Sequence, residues 1–143
     1  MLKISLGTLV LGYSLLVSAC GGGAKEENAK LEKEVLQAHD SIMAYMGDFN
    51  HKSMKIDSIL QNLDSLKAAD ASLDTAAKRA DLASIKLKLD DANEAMTDWM
   101  HKFEPDQSGH PDDEVKKYLQ GEKAKLDVLK RQFDAAKLAS DKL

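Results

Sequence analysis

The sequence predicts an all-α protein, an antiparallel bundle of three long helices with coiled-coil-like seams. Three observations carry that expectation. Apolar residues recur at a sustained period of about 3.5 along most of the chain, whereas a strand needs period two. Only 5% of the 143 residues are aromatic, although 43% are hydrophobic and 31% are charged. The chain also holds just two prolines, and its punctuation falls into two short stretches. One domain is expected at this length. Lys and Arg number 20 against 24 Asp and Glu, a formal charge of −4. No positive field for phosphates results, so a nucleic-acid partner is not expected.

The first helix is expected from Asn28. Its seam runs Leu31, Val35, Ala38, Ile42, Tyr45, Phe49, Lys52, Ile56, Ile59, Leu63 and Leu66, with Lys52 the one charged member. Gly47 costs about 1 kcal/mol inside a helix but leaves the phase intact. One long helix is therefore favoured, and a break at Gly47-Asp48, giving a four-helix bundle, is the alternative. Ala68 to Asp74 loses the pattern, and Asp74 suits the N-cap of a second helix. That helix carries Leu82, Ile85, Leu89, Ala92, Met96, Trp99 and Phe103. Glu104 to His110 reads as a loop. Pro111 suits a first helical position, and Asp112, Asp113 and Glu114 favour the positive end of the third helix. Its seam is Val115, Leu119, Glu122, Leu126, Leu129, Phe133 and Ala136, with Leu143 beyond. Asp112–Lys116, Asp113–Lys117 and Asp127–Arg131 stand at i,i+4 spacing. Short connections make neighbouring helices antiparallel, with residue i opposite about 144 − i in the first hairpin.

Residues 1–19 read as an export signal. Lys3 precedes an apolar run from Ile4 to Ala19 that spans about 24 Å as a helix, short of the ~30 Å hydrocarbon core. The end of that run, Leu16-Val17-Ser18-Ala19-Cys20-Gly21, resembles the bacterial lipobox. The resemblance implies that Cys20 is lipidated and becomes the first mature residue. Loss of Lys3 then takes the formal charge from −4 to −5. The only cysteine is consumed, so disulfide and Cys-based zinc chemistry are not expected. Residues 20–27 form the lipidated cysteine and a flexible tether, and 28–143 the bundle domain. Lys25-Glu26-Glu27 is similar to the tag that sends some Bacteroidota lipoproteins to the cell surface, and suits a charged helix start equally well.

His39-Asp40-x-x-Met43-x-x-Met46, Asp98-Trp99-Met100 with Phe103, and Tyr118-Leu119-x-x-Glu122-Lys123 together resemble a family of small helical lipoproteins of Bacteroidota. Its members are often labelled viral A-type inclusion protein repeat-like. The resemblance covers most of the mature chain through short motifs and implies long helices; the family's role is uncharacterised.

The expected function is that of a lipid-anchored lipoprotein of the bacterial outer membrane, facing the periplasm or the surface. It would act without catalysis as a binding or structural module, meeting a protein partner or a second copy through a helical face. No phosphate loop, no Glu-x-x-His pair for a di-iron site and no strained turn for a Ser–His–Asp device occur in the sequence. No cofactor is expected on that reading, and an undetected enzyme is a remote alternative. The nearer alternative is Cu(I) held by His39, Met43, Met46, Met96, Met100 and His101, since thioether and imidazole ligands suit a soft ion. Against it, Met fills irregular core space beside Trp99.

Overall fold

The computed structural model describes residues 21–143, and these are all-helical. Four helices follow one another: α1 Gly21–Gln61, α2 Leu63–Ala69, α3 Thr75–Lys102 and α4 Asp112–Ser140. No strand occurs among the described residues. The expected signal peptide and Cys20 lie outside them. No helix of the described residues is long and apolar enough to cross a membrane.

The seams explain why these helices assemble. Val35, Ile42, Phe49 and Ile56 of α1 are buried together with Leu82, Leu89, Ala92, Met96 and Trp99 of α3. Leu119, Leu126, Leu129, Phe133 and Ala136 of α4 complete the same core. Phe49 stacks on Phe133 at 5.1 Å between ring centroids, locking α1 to α4 in mid-core. Cross-helix bonds set the register. Asn50 meets Asn93, Ser53 meets Asp90 and Asp57 meets Lys86, so residue i lies opposite 143 − i, one residue from the sequence expectation. Asn28 bonds the carbonyl of Asp112 and Lys55 that of Leu143, so α4 runs parallel to α1 and antiparallel to α3.

The described residues form four helices where the sequence reading counts three, and the first break lies at Asn62 rather than at Gly47. Gly47 sits mid-helix, exposed, where an added Cβ would meet nothing. Buried Ile42 and Phe49 on either side hold the helix through it, and packing outweighs propensity. Asn62 has φ −103° and ψ 9°, and its side-chain amide donates to the Ser58 carbonyl at 2.8 Å. That side chain takes the acceptor its own backbone N–H would use in an α-helix, and the N–H turns to Ile59 instead, at 3.1 Å.

Several local expectations agree with the structure. Asp74 caps α3, accepting from the Ala77 N–H at 3.0 Å. Asp112, Asp113 and Glu114 occupy the first turn of α4. Others are corrected. Pro111 is the N-cap residue, one position before the helix. The expected tether is helical from Gly21 onward, and α4 anchors this first stretch: Glu27 pairs with Lys116 at 2.7 Å and Asn28 is buried. Lys116 thus pairs across helices rather than with Asp112, and neither Asp113–Lys117 nor Asp127–Arg131 forms an ion pair. For Lys116 the tertiary partner Glu27 takes the place of the weak i,i+4 pair.

Candidate functional site

The richest chemistry gathers where the last turns of α3 meet α1 and the first half of α4. The seam brings Trp99 inward, and an indole N–H that is buried must find an acceptor. It finds Glu122, placed at an otherwise apolar seam position of α4: Trp99 Nε1 donates to Glu122 Oε2 at 2.8 Å, and Lys125 Nζ donates to Oε1 at 2.6 Å. Glu122 is only 4% exposed, so both oxygens are satisfied from within the protein. Lys125 reaches in from the surface with its stem along the helix, leaving ammonium protons in solvent.

Aromatic rings extend this pair. Trp99 stacks on Phe103 at 4.8 Å, Phe103 on Tyr118 at 6.2 Å, and the His39 ring lies 5.8 Å from Trp99. Tyr118 Oη accepts the Glu104 N–H at 2.7 Å, tying the 103–111 loop to α4. Burial pushes the Tyr118 phenol up, against the lowering effect of that bond. Two clefts flank Trp99. One, between α1 and α3, is lined by Leu36, His39, Trp99, Met100 and Phe103. The other, between α3 and α4, is lined by Ala95, Asp98, Trp99, Lys102, Lys125, Val128 and Leu129.

The residues considered for copper occupy different surroundings. His39 and Met100 share the first cleft, with His39 Nδ1 bonded to Asp40 at 2.9 Å. Met96 is wholly buried in the core, and Met46 packs half-buried against it. Met43 is 37% exposed, and His101 is exposed on the last turn of α3. The spread follows from the 100° advance per residue: His101 cannot share the face of Met100, nor Met43 that of buried Ile42. Among the described residues no group of three or more His, Cys, Asp and Glu side chains could hold a metal ion.

A second polar centre went unread in the sequence. Ser53, buried on α1, donates to Asp90 Oδ1 at 2.7 Å and accepts from Lys86 Nζ at 2.7 Å. Lys86 also pairs with Asp90 at 2.9 Å and Asp57 at 3.2 Å. The Asp90 bond, with Asp57, holds the Lys86 ammonium above its ordinary range despite burial. For Asp90, burial raises the carboxyl, and the Ser53 and Lys86 bonds outweigh it, so the net movement is downward. Ser53 follows Lys52 along α1, one step off the apolar seam, and nothing in its immediate sequence marks it. Glu122 did leave a signal, since it is the one charged member of the third seam.

No family model matches the chain, and neither a curated protein nor a solved structure matches it.

Proposed function

We propose that this chain is a lipid-anchored lipoprotein of the bacterial envelope that works without catalysis, as a helical binding or structural module. The lipobox-like run Leu16 to Gly21, with the chain's single cysteine at the position such signals lipidate, carries the reading. In this reading the working unit is a three-helix bundle, with α2 prolonging α1 past Asn62. A relation to the small helical lipoproteins of Bacteroidota belongs to the same proposal. The described site supports a non-catalytic role, since the buried Glu122 has both oxygens engaged, by Trp99 and by Lys125.

Fractionation of cells expressing the full chain tests the anchor. The wild type partitions with membranes in a form labelled by a fatty-acid analogue. Cys20→Ser gives an unlabelled soluble chain or an uncleaved precursor. An unlabelled wild type, or a Cys20→Ser chain processed and retained like the wild type, rejects the proposal.

Copper binding is the second reading, favoured by one observation: an imidazole and a thioether, His39 and Met100, line one cleft. Cu(I) titration of the purified chain against a competing chelator tests it. Binding that weakens at least tenfold in both His39→Ala and Met100→Leu supports a site. Binding indifferent to both changes rejects it.

A further inference from the structure

A further cleft, of about 420 Å³, lies at the end of the bundle where α1 and α4 begin, walled by the 103–111 loop. Helical spacing turns Lys25, Asn28, Ala29 and Glu32 of α1 towards it. Asn28 is 8% exposed, and only half of its amide is satisfied. Its Nδ2 donates to the Asp112 carbonyl at 2.8 Å, whereas its Oδ1 is buried and has no partner. Asn28 and Asp112 both border the cleft, so this oxygen lies in its floor. Buried side-chain oxygens nearly always accept a bond, and one in the floor of a cleft calls for a donor carried by a ligand.

The charged groups around that oxygen are of both signs and stand apart. Lys25 and Glu32 lie on either side of Asn28, about 10 Å from each other along the helix, too far to pair directly. Among the described residues neither of them joins an ion pair. Across the cleft, Asp112 opens α4, with Asp113 and Glu114 behind it, and the His110 ring lies 3.8 Å from Glu114. Pro111 at the N-cap makes no side-chain cap bond, so the N–H groups of the first turn of α4 have no intrahelical partner. The Ser108 hydroxyl adds a polar wall, and Val115 and Leu119 an apolar one.

Simple ions do not suit this set. A bare anion beside Lys25 would meet the carboxylates of Asp112 and its neighbours, and would give nothing to Asn28 Oδ1. A bare metal ion finds no group of three or more His, Cys, Asp and Glu side chains among the described residues. A group that carries both charges a few bonds apart satisfies both ends. Its anion meets Lys25 and the unpaired N–H groups of α4. Its ammonium meets Glu32 and donates to Asn28 Oδ1, which a quaternary ammonium has no N–H to do. Phosphate suits the anionic end better than carboxylate, because Lys25, Ser108 and the α4 N–H groups belong to three different segments and a phosphate has an oxygen for each.

We infer that this cleft binds a phosphoethanolamine group. Its phosphate lies towards Lys25 and the first residue of α1, and its ammonium lies away from it, towards Glu32. A headgroup reaching up from a membrane beside Gly21 presents phosphate and ammonium in that same order. A lipid headgroup and a soluble phosphoethanolamine ester share this chemistry. Binding does not depend on the anchor, so a soluble, unlabelled wild type would still take up the free compound.

Calorimetric titration of the purified full chain in detergent micelles with O-phosphoethanolamine tests it. The wild type saturates below millimolar concentration, and phosphocholine, inorganic phosphate and glycine each bind about tenfold or more weakly. Lys25→Ala and Glu32→Ala each weaken O-phosphoethanolamine binding about tenfold and keep the helical circular dichroism, because both side chains are exposed. Asn28→Ala brings O-phosphoethanolamine down to the level of phosphocholine; should that variant fail to fold, the two exposed variants and the three control compounds decide alone. Phosphatidylethanolamine added to the micelles displaces the probe where the lipid headgroup is the ligand, and phosphatidylcholine does not; binding indifferent to both lipids assigns a soluble ester. A wild type that binds no O-phosphoethanolamine at millimolar concentration overturns the inference. So does phosphocholine, phosphate or glycine bound as tightly, and so does binding unchanged in both Lys25→Ala and Glu32→Ala.

Discussion

The trunk and the tip of this molecule follow the same heptad spacing and differ in how many helices share the work. In the trunk, α1, α3 and α4 close around one core in which Val35, Ile42, Phe49, Leu89, Met96 and Leu126 are wholly buried. Lys55 reaches the carbonyl of Leu143, and past that level α4 has ended. From there the tip is made of the end of α1, the short α2 and the start of α3. Leu63 is still buried, yet Leu66 is 42% exposed and residues 64–72 all face solvent. A seam buries its residues only where a neighbour stands over it. Two helices cover one line of contact and three enclose a core, so the first seam loses effect at Leu66 although its spacing does not change.

The largest effect that would test this contrast is in the trunk. Leu89→Asp removes a wholly buried side chain and leaves a charge without a partner, and the chain is expected not to fold. Leu89→Ala is expected to cost about 2–5 kcal/mol in chemical denaturation, whereas Leu66→Ala should lie within about 0.5 kcal/mol of wild type. Hydrogen exchange should rank the same way, with trunk amides of α1 the slowest and those of α2 exchanging through local opening. Equal protection in α2 and in residues 35–56 would dissolve the distinction.

Glu122→Ala comes next, at about 1–3 kcal/mol, because it leaves the buried Trp99 N–H without an acceptor. Glu122→Gln keeps a carbonyl oxygen there and should recover part of that loss. If both variants melt as the wild type does, the Trp99–Glu122 bond is not what fixes α4 on α3.

The Ser53–Lys86–Asp90 centre lies near the border of trunk and tip and makes a smaller, pH-dependent contribution. Asp90 is held below its ordinary value of 3.8, so its share is present above that pH and is lost as pH falls through the depressed value. Lys86 is held above 10.5, so its share is present below that pH and is lost as pH rises through the raised value. Lys86→Met should flatten both edges of the stability–pH curve relative to wild type. A curve of unchanged shape would show that the centre contributes nothing to folding.

The smallest expected effect is a gain. Gly47→Ala places a methyl group where it meets nothing, and should stabilise the trunk by about 0.5–1 kcal/mol through reduced backbone freedom. A loss on this change would mean that Gly47 supplies a bend or a contact face.

Much of this architecture is written in local spacing. The period-3.5 seams, the Asp74 cap and the loop, expected at Glu104–His110 and found one residue longer at each end, follow from residues within a few positions of one another, and so does the register of the first hairpin. Asn62 also acts locally, through Ser58 four residues back, but an isolated Asn in an unbroken seam looks like any exposed helix residue. The lipidation expected at Cys20 rests on its flanks alone and lies outside the described residues. Tertiary structure decided the rest. It buried Glu122 beneath Trp99 while leaving Lys52 half-exposed between Asp48 and Ser140, although both interrupt their seams in the same way. It sent Lys116 to Glu27 instead of Asp112, and set Ser53 between Asp90 and Lys86. Each of these outcomes pairs groups tens of residues apart. A 100° step places a side chain on a face, but only the neighbour packed over that face determines whether it meets an acceptor, an opposite charge or water.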